Sequence, residues 1–179
     1  MSGTPAAFFD RDGVLNVDHG YTFEIDRLEL IKGAGAALAA CRAAGLLVFV
    51  VTNQSGIARG LYDESALATF NTELRRRLAV DGGLIDDVRF CPHHPDAVVA
   101  RYRRSCDCRK PAPGMILHLA EAWNIDLTRS IMIGDKQSDM DAARAAGVAG
   151  YLFEGGDLLA FLTDVLESRG LQGARRREV

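Results

Sequence analysis

Residues 6–13 read AAFFDRDG, and this stretch decides the fold, because a short apolar run that stops at an acidic turn is typical of a buried strand. The same pattern returns as LLVFVVTN over residues 46–53 and as SIMIGD over residues 130–135. Helical patterns separate the three runs. Strands that alternate with helices predict an α/β fold, in which a doubly wound parallel sheet lies between two helix layers in a Rossmann-like arrangement.

The stretches between the strands carry the helical signals. Residues 33–44 are rich in Ala and Leu, and residues 63–79 place large apolar side chains on one face, with Asp63 as a candidate N-cap. The complete prediction has helices over 33–44, 63–79, 114–124 and 139–146 and further strands over 87–90 and 148–153.

Length and composition limit the class of protein. The 179 residues predict one domain over 1–179, and 48% hydrophobic with 25% charged residues is typical of a globular chain. The formal net charge of −3 is unlike the basic footprint of a general nucleic-acid binder. No apolar run reaches the ~20 residues that cross a bilayer, and no signal peptide precedes the first strand. We therefore expect a cytoplasmic protein without a membrane or nucleic-acid partner, and a solvated tail at Arg175–Arg177.

Acidic and polar side chains follow three of the predicted strands. Asp10 ends the first, Thr52 the second and Asp135 the third, and the carboxyl ends of parallel strands meet at one edge of a sheet. Carboxylates are favoured ligands of Mg²⁺, so the set Asp10, Asp12 and Asp135 predicts a magnesium site. The alternative is that Asp10 and Asp12 are turn residues before Gly13.

Two further segments are suited to phosphate. The hydroxyl of Thr52 and the backbone N–H groups that follow it can bind phosphate oxygens, or they can cap a turn. Arg109 and Lys110 precede a predicted helix and suit a phosphoryl group, or they form a solvated basic pair. Asp139 is equally a functional carboxylate and the N-cap of the helix that follows it.

Three of the four cysteines are crowded into one irregular stretch with two histidines. Structural zinc typically binds a set such as Cys91, His93, Cys106 and Cys108, and His94 is an alternative fourth ligand. The alternative interpretation is that Cys106 and Cys108 are free thiols in a loop. Residues 91–108 would then be a zinc-binding loop inserted directly before Arg109 and Lys110. A metal would supply ordering energy to a loop that has no core of its own.

The ordered motifs resemble the haloacid-dehalogenase-like (HAD-like) phosphatase superfamily. The resemblance covers D-x-D at Asp10, Thr52 at the second strand, Lys110 before a helix, and G-D-x-x-x-D from Gly134. It implies that Asp10 attacks phosphorus, that Asp12 is the general acid and base, and that Thr52 and Lys110 hold the phosphoryl oxygens. It also implies that Mg²⁺ binds Asp10, the backbone carbonyl of Asp12, and Asp135.

Longer segments are similar to one family within that superfamily, the D-glycero-D-manno-heptose 1,7-bisphosphate 7-phosphatases. The segments are DRDGVLNVDHGY, VVTNQSGIARG, CPHHP, CDCRKPAPGM and GDKQSDM. The resemblance implies a capless fold, zinc ligation by His93 rather than His94, and removal of the C7 phosphate in the synthesis of heptose precursors for lipopolysaccharide and other surface glycans. The substrate contacts it implies are Asp18, His19, Gly20, Tyr21, Thr52, Asn53, Gln54, Ser55, Arg109, Lys110 and Lys136.

Two other functions remain open from the sequence. Relatives with the same zinc loop include histidinol-phosphate phosphatases, and Arg109 favours a bisphosphate only modestly. A zinc-stabilised binding module on an inactive scaffold is the alternative from another class, and the intact set of Asp10, Asp12, Lys110 and Asp135 argues against it. We expect a monomer that acts on a small sugar phosphate.

Overall fold

The computed structural model describes residues 3–171, and its centre is a five-stranded parallel sheet. The remaining residues, with the Arg175–Arg177 triplet, lie outside the described part. The strands are β1 (Ala6–Phe9), β2 (Leu47–Asn53), β3 (Asp87–Cys91), β4 (Ile131–Gly134) and β5 (Ala149–Leu152). Their order in the sheet is β3-β2-β1-β4-β5, and every neighbouring pair is parallel. The order places β1 in the middle, between β2 and β4.

Helices connect the strands and cover both faces of the sheet. They are α1 (Ala34–Ala43), α2 (Ser55–Ala58), α3 (Glu64–Ala79), α4 (Gly114–Trp123), α5 (Gln137–Ala146) and α6 (Leu158–Ser168). Short 3₁₀ turns lie at Ile25–Arg27, Ala100–Tyr102 and Leu127–Arg129. The alternation of strands and helices confirms the predicted three-layer α/β fold.

Two apolar layers hold the sheet between its helices. Because successive side chains of a strand point to opposite faces, Phe9 packs towards α1, α3 and α6, whereas Phe8 packs towards α4 and α5. Both phenylalanines are fully buried. The central strands are therefore apolar on both faces, as parallel sheets require. This burial fixes the carboxyl end of β1. Asp10 follows directly, at the edge of the sheet where the predicted site residues meet, called the functional edge below.

The helix boundaries confirm one capping prediction and correct another. Asp63 is the N-cap of α3, where its Oδ1 accepts a hydrogen bond from the N–H of Ala66 over 2.8 Å. The reading of Asp139 as an N-cap is wrong, because α5 already begins at Gln137. Asp139 instead lies within the first turn, and its Oδ2 accepts from the backbone N–H of Lys136 over 3.1 Å. Its other oxygen is thereby left to face the functional edge.

The connection from β3 to α4, over residues 92–113, contains nearly all of the predicted zinc-binding loop at residues 91–108. It contains the 3₁₀ turn at Ala100–Tyr102 and a bridge between His94 and Arg103. The connection from β1 to β2 contains α1, and that from β2 to β3 contains α2 and α3. Within residues 3–171 no helix is both long and apolar enough to span a membrane.

Candidate active site

A polar cavity of about 380 Å³ opens at the carboxyl ends of the central strands. The residues of the predicted site that line it are Asp10, Asp12, Asp18, Gly20, Tyr21, Thr52, Asn53, Gln54, Ser55, Arg109, Lys110 and Lys136. Tyr62 and Ser138, which sequence reasoning missed, also line it, and so does Asp139, which the sequence left open as a functional carboxylate or an N-cap. The loops after β1, β2 and β4 and the segment before α4 therefore converge, as the strand-end argument predicted.

His19 is the predicted substrate contact that does not line this cavity. Its imidazole Nε2 lies 3.7 Å from the Glu29 carboxylate, towards solvent. Its backbone N–H donates to the Thr22 hydroxyl over 3.0 Å, which helps to shape the loop. The structure thus brings Asp18, Gly20 and Tyr21 to the cavity and turns the intervening side chain elsewhere.

Lys110 is a buried cation held between two carboxylates. Its Nζ lies 2.9 Å from Asp10 Oδ1 and 2.6 Å from Asp139 Oδ1, and it donates to the carbonyl of Val51 over 2.8 Å. Burial by itself would lower the pKa of Lys110, but the charges of Asp10 and Asp139 outweigh it and raise that pKa. The ammonium group therefore stays charged beside Asp10.

Carboxylate oxygens of Asp10, Asp135 and Asp139 lie within 4.8 Å of one another. Asp135 Oδ1 is buried and has no hydrogen-bond partner among the described residues. Burial, together with the nearby Asp10 and Asp139 carboxylates, raises the pKa of Asp135 to about 6, against the opposing effect of Lys136. Crowded carboxylates with an unpartnered oxygen fit a hard divalent cation such as Mg²⁺.

The three carboxylates that cluster in the structure differ by one residue from the predicted magnesium ligands Asp10, Asp12 and Asp135. The structure places the side chain of Asp139 in this cluster and directs the carboxylate of Asp12 into a separate network. The role of Asp12 through its backbone carbonyl stays a prediction. Gly13 leaves room for Asp135, since a Cβ there would lie 2.2 Å from Asp135 Oδ2.

The Asp12 carboxylate is held by donors on several sides. Arg11 Nη2 donates to both of its oxygens at 2.9 Å, Asn16 Nδ2 donates to Oδ1 at 2.9 Å, and Gln54 Nε2 donates to Oδ2 at 3.0 Å. Arg11 is fully buried and also donates to the Thr22 carbonyl over 2.6 Å. Sequence reasoning missed Arg11, because it treated this residue as the variable middle of D-x-D.

Two residues at the end of β2 have different roles: Thr52 faces the cavity, and Asn53 supports the Lys110 segment. Thr52 is 1% exposed and lines the cavity. Asn53 makes a reciprocal pair with the backbone of Lys110: its Nδ2 donates to the Lys110 carbonyl, and its Oδ1 accepts from the Lys110 N–H, both over 3.0 Å. The side chain of Asn53 therefore positions the Lys110 segment against β2.

Two more cations lie at the rim of the cavity. Lys136 Nζ lies 3.2 Å from Asp18 Oδ2, which links the loop after β4 to the loop after β1. Arg109 Nη1 donates to the backbone carbonyl of His93 over 3.4 Å. Arg109 is thereby tied to the cysteine-rich loop, so the order of that loop affects the position of a cavity-lining cation.

The predicted zinc ligands are brought together by this loop. The ligand atoms of Cys91, His93, Cys106 and Cys108 lie within 4.8 Å of one another. His93 Nδ1 is 3.6 Å from Cys91 Sγ and 3.3 Å from Cys108 Sγ, and the described cysteines form no disulfide. Three thiols and one imidazole on two short segments fit a metal such as zinc.

His93 rather than His94 faces this cluster. His94 Nδ1 instead accepts a hydrogen bond from the backbone N–H of Asp96 over 3.1 Å. Burial and the nearby Arg104 guanidinium lower the pKa of His93, which favours the neutral imidazole that a metal binds.

Curated relatives match most of the chain. The HAD-hydrolase-like family model matches residues 107–160. A D-glycero-beta-D-manno-heptose-1,7-bisphosphate 7-phosphatase from Rhodopseudomonas palustris is 48% identical over 162 residues, which cover 90% of each chain. The protein of the same name from Escherichia coli strain K12 is 47% identical over 80% of this chain and 75% of its own.

Solved structures agree with the sequence relatives. The D,D-heptose 1,7-bisphosphate phosphatase from B. bronchiseptica, complexed with magnesium and phosphate, superposes with a TM-score of 0.81 at 33% identity, over 92% of this chain and 99% of that one. Its counterpart from Burkholderia thailandensis has a TM-score of 0.65 at 29% identity, over 90% and 98% of the two chains. The resemblance drawn from the motifs is thus confirmed, and the chain belongs to the D-glycero-β-D-manno-heptose-1,7-bisphosphate 7-phosphatase family of HAD-like hydrolases.

Proposed function

We propose that this chain is a magnesium-dependent phosphatase that removes the C7 phosphate of D-glycero-β-D-manno-heptose 1,7-bisphosphate and leaves heptose 1-phosphate. The observation that carries the proposal is the contact of Asp10 with the buried Lys110 ammonium, 2.9 Å apart, in the cavity that Thr52 also lines. The names of relatives at 47–48% identity support the substrate. The reaction belongs to the synthesis of surface-glycan precursors in the cytoplasm, and the enzyme acts as a monomer.

In the first step a carboxylate oxygen of Asp10 attacks phosphorus, and the bond from phosphorus to the C7 oxygen breaks. Asp12 donates a proton to that oxygen, so the sugar leaves as a neutral hydroxyl and Asp10 carries the phosphoryl group. Thr52 and the Lys110 ammonium hold the phosphoryl oxygens through the transfer. When bound by Asp10, Asp135 and the backbone carbonyl of Asp12, Mg²⁺ supplies positive charge that reduces repulsion between nucleophile and phosphate.

In the second step a water molecule attacks the phosphorus of the aspartyl-phosphate. Asp12 accepts the proton of that water, inorganic phosphate leaves, and the Asp10 carboxylate is restored. The donors from Arg11, Asn16 and Gln54 orient the Asp12 carboxylate, which lines the cavity. Phosphoryl transfer depends mainly on such positioning and on charge stabilisation.

The second phosphate of the substrate needs positive charge away from the reacting centre. Arg109 and Lys136 supply it at the rim of the cavity. We propose that zinc on Cys91, His93, Cys106 and Cys108 is structural, because it would fix the loop whose His93 carbonyl accepts from Arg109. Residues 91–108 are then a zinc-binding loop within a single domain.

Histidinol phosphate is the competing substrate. To bind it, the site would need a carboxylate or an aromatic partner for its ammonium group. Asp18 and Tyr21 line the cavity as candidate partners, but Arg109 lines it too, and its guanidinium favours a second phosphate over an ammonium group. The deciding experiment compares kcat/KM on the two substrates with Mg²⁺ present. We expect the heptose bisphosphate to be preferred. A preference for histidinol phosphate would overturn the substrate, and the absence of phosphate release from either would favour a non-catalytic binding module.

A further inference from the structure

A chain of hydrogen bonds connects Tyr62, at the edge of the cavity, to both Thr52 and Asp12. The Tyr62 hydroxyl donates to Gln54 Oε1 over 2.5 Å. The amide Nε2 of Gln54 then donates to Thr52 Oγ1 over 2.8 Å and to Asp12 Oδ2 over 3.0 Å. The two N–H groups of this amide are therefore both used inside the protein, and Gln54 is only 2% exposed.

The direction of these hydrogen bonds follows from the partners of Gln54. Beside an ionised Asp12 carboxylate, a reversed amide would place its oxygen against another acceptor, and the two would repel. The Tyr62 hydroxyl is compatible with this orientation, in which it donates to the amide oxygen. The orientation in which the amide nitrogen faces Thr52 therefore satisfies Asp12 and Tyr62 together.

This orientation has a consequence for the Thr52 hydroxyl. A hydroxyl group has one proton to donate, and here its oxygen already accepts from Gln54. Within the described part of the chain Thr52 donates to no protein acceptor, although the residue is almost fully buried and lines the cavity. Its proton is therefore free to be donated to an oxygen atom of a ligand in that cavity.

The ring of Tyr62 is held in place by two neighbours. Phe23 stacks on it with ring centroids 4.6 Å apart and an angle of 20° between the planes. Gly56 also comes so close that a Cβ there would lie 2.2 Å from Tyr62 Cε1. Burial raises the pKa of Tyr62 to about 12, so the phenol remains a donor at neutral pH.

We propose that Tyr62 is a positioning residue for phosphoryl transfer, which acts through the Gln54 amide to direct the Thr52 hydroxyl proton towards the phosphoryl oxygens. Tyr62 does not itself touch the reacting atoms. The inference rests on the proposed function only in taking a phosphate ester as the ligand of the cavity, and it does not depend on which sugar carries that ester.

The test compares Tyr62→Phe with the matched variant Tyr102→Phe. Tyr102 is also buried, and its hydroxyl donates to Glu64 over 2.6 Å, outside the cavity. The assays are hydrolysis of p-nitrophenyl phosphate and inhibition by inorganic phosphate. Because one hydrogen bond is lost, we expect Tyr62→Phe to lower kcat/KM about 3- to 10-fold and to weaken phosphate inhibition by a similar factor. Tyr102→Phe should leave both constants unchanged.

A double-mutant cycle separates positioning from a general structural effect. In a Gln54→Leu background, Tyr62→Phe should cause no further loss, because its whole effect passes through Gln54. In a Thr52→Val background, Tyr62→Phe should no longer change the inhibition by phosphate, which gives a second test if Gln54→Leu does not fold. Constants equal to those of the wild type in Tyr62→Phe, or an undiminished effect in either background, would overturn the proposal.

Failure of the proposed function gives a different result. If the wild type hydrolyses p-nitrophenyl phosphate but not the heptose bisphosphate, the substrate is wrong and the cycle still applies. If the wild type hydrolyses no ester, the cycle is measured by calorimetric binding of inorganic phosphate, with the same weakening expected in Tyr62→Phe. Equal phosphate affinity in Tyr62→Phe and the wild type would then overturn the role of Tyr62.

Discussion

Replacement of Lys110 by methionine should destabilise the fold as well as stop the reaction. The Nζ of Lys110 lies within 2.9 Å of both Asp10 and Asp139, and the side chain is 3% exposed. Methionine has a similar length without charge, so Lys110→Met leaves two buried carboxylates facing each other. Removal of one partner from a buried ion pair costs about 3–5 kcal/mol, so we expect the melting temperature to fall by roughly 6–20 °C.

The measurement is urea unfolding of the wild type, Lys110→Met and Lys136→Met in magnesium-free buffer. Lys136 is the matched control, because its side chain is 55% exposed and its pairing with Asp18 contributes at most about 1 kcal/mol. We expect a loss of several kcal/mol for Lys110→Met alone, together with loss of turnover when Mg²⁺ is restored. A loss below about 1 kcal/mol for Lys110→Met would refute the view that this cation stabilises the two carboxylates.

The pH dependence of this difference has a definite sign. The carboxylates raise the pKa of Lys110 in the folded protein above its unfolded value. A raised lysine pKa stabilises the fold fully below the unfolded pKa, about 10.4, and this contribution is lost as pH rises through the folded pKa. The stability gap between the wild type and Lys110→Met should therefore be constant from neutral pH to about pH 9 and shrink only above about pH 10.4. A gap that shrinks already between pH 7 and 9 would contradict the raised pKa.

Four further variants and one metal analysis test the site. Asp10→Asn should abolish turnover and Asp12→Asn should lower kcat about 10²- to 10⁴-fold, as measured by phosphate release, and near-normal rates in Asp10→Asn would remove it as nucleophile. Protein purified without added metal should contain zinc, and Cys106→Ser should bind less of it; a zinc-free protein with full activity would refute a structural zinc. Arg109→Met should raise KM for the bisphosphate about 10- to 100-fold but leave KM for p-nitrophenyl phosphate nearly unchanged, and equal effects on both would argue against contact with the second phosphate.

The parallel sheet, though not its strand order, could be predicted because the signals of its strands are local. Each central strand is a short apolar run that stops at a polar turn, and its length favours a strand over a buried helix. Helix α2, Ser55–Ala58, was missed because four residues are too short to show a helical period. Helix α6 was also missed, although the sequence does carry a signal for it. Leu158, Leu162 and Val165, all buried, recur at helical spacing after an N-cap at Asp157.

The parts of the site that escaped prediction depend on contacts between distant residues. Asp139 lies four positions after Asp135, and that spacing fits a capping role as well as a functional one. Only the contact with Lys110, 29 positions away in sequence, distinguishes the two. Arg11 is buried because Asp12, the Thr22 carbonyl and Asn71 all accept from it, and no local pattern encodes this set of partners.

The ligand sets were easier to predict than the networks that support them. The cysteines and His93 are close in sequence and chemically distinctive, so their order along the chain was informative. Tyr62 and Gln54 are ordinary residue types, and their hydrogen bond across the cavity wall has no sequence signature. Supporting residues of this kind therefore need the structure before a role can be assigned.

The measurement that tests the central claim most directly follows both phosphate groups of D-glycero-β-D-manno-heptose 1,7-bisphosphate by ³¹P NMR during incubation with enzyme and Mg²⁺. The account predicts that the C7 signal disappears, that inorganic phosphate replaces it, and that the C1 signal persists as heptose 1-phosphate. Asp10→Asn should leave both signals intact. Loss of the C1 signal, or no change of either signal with the wild type, would contradict the account.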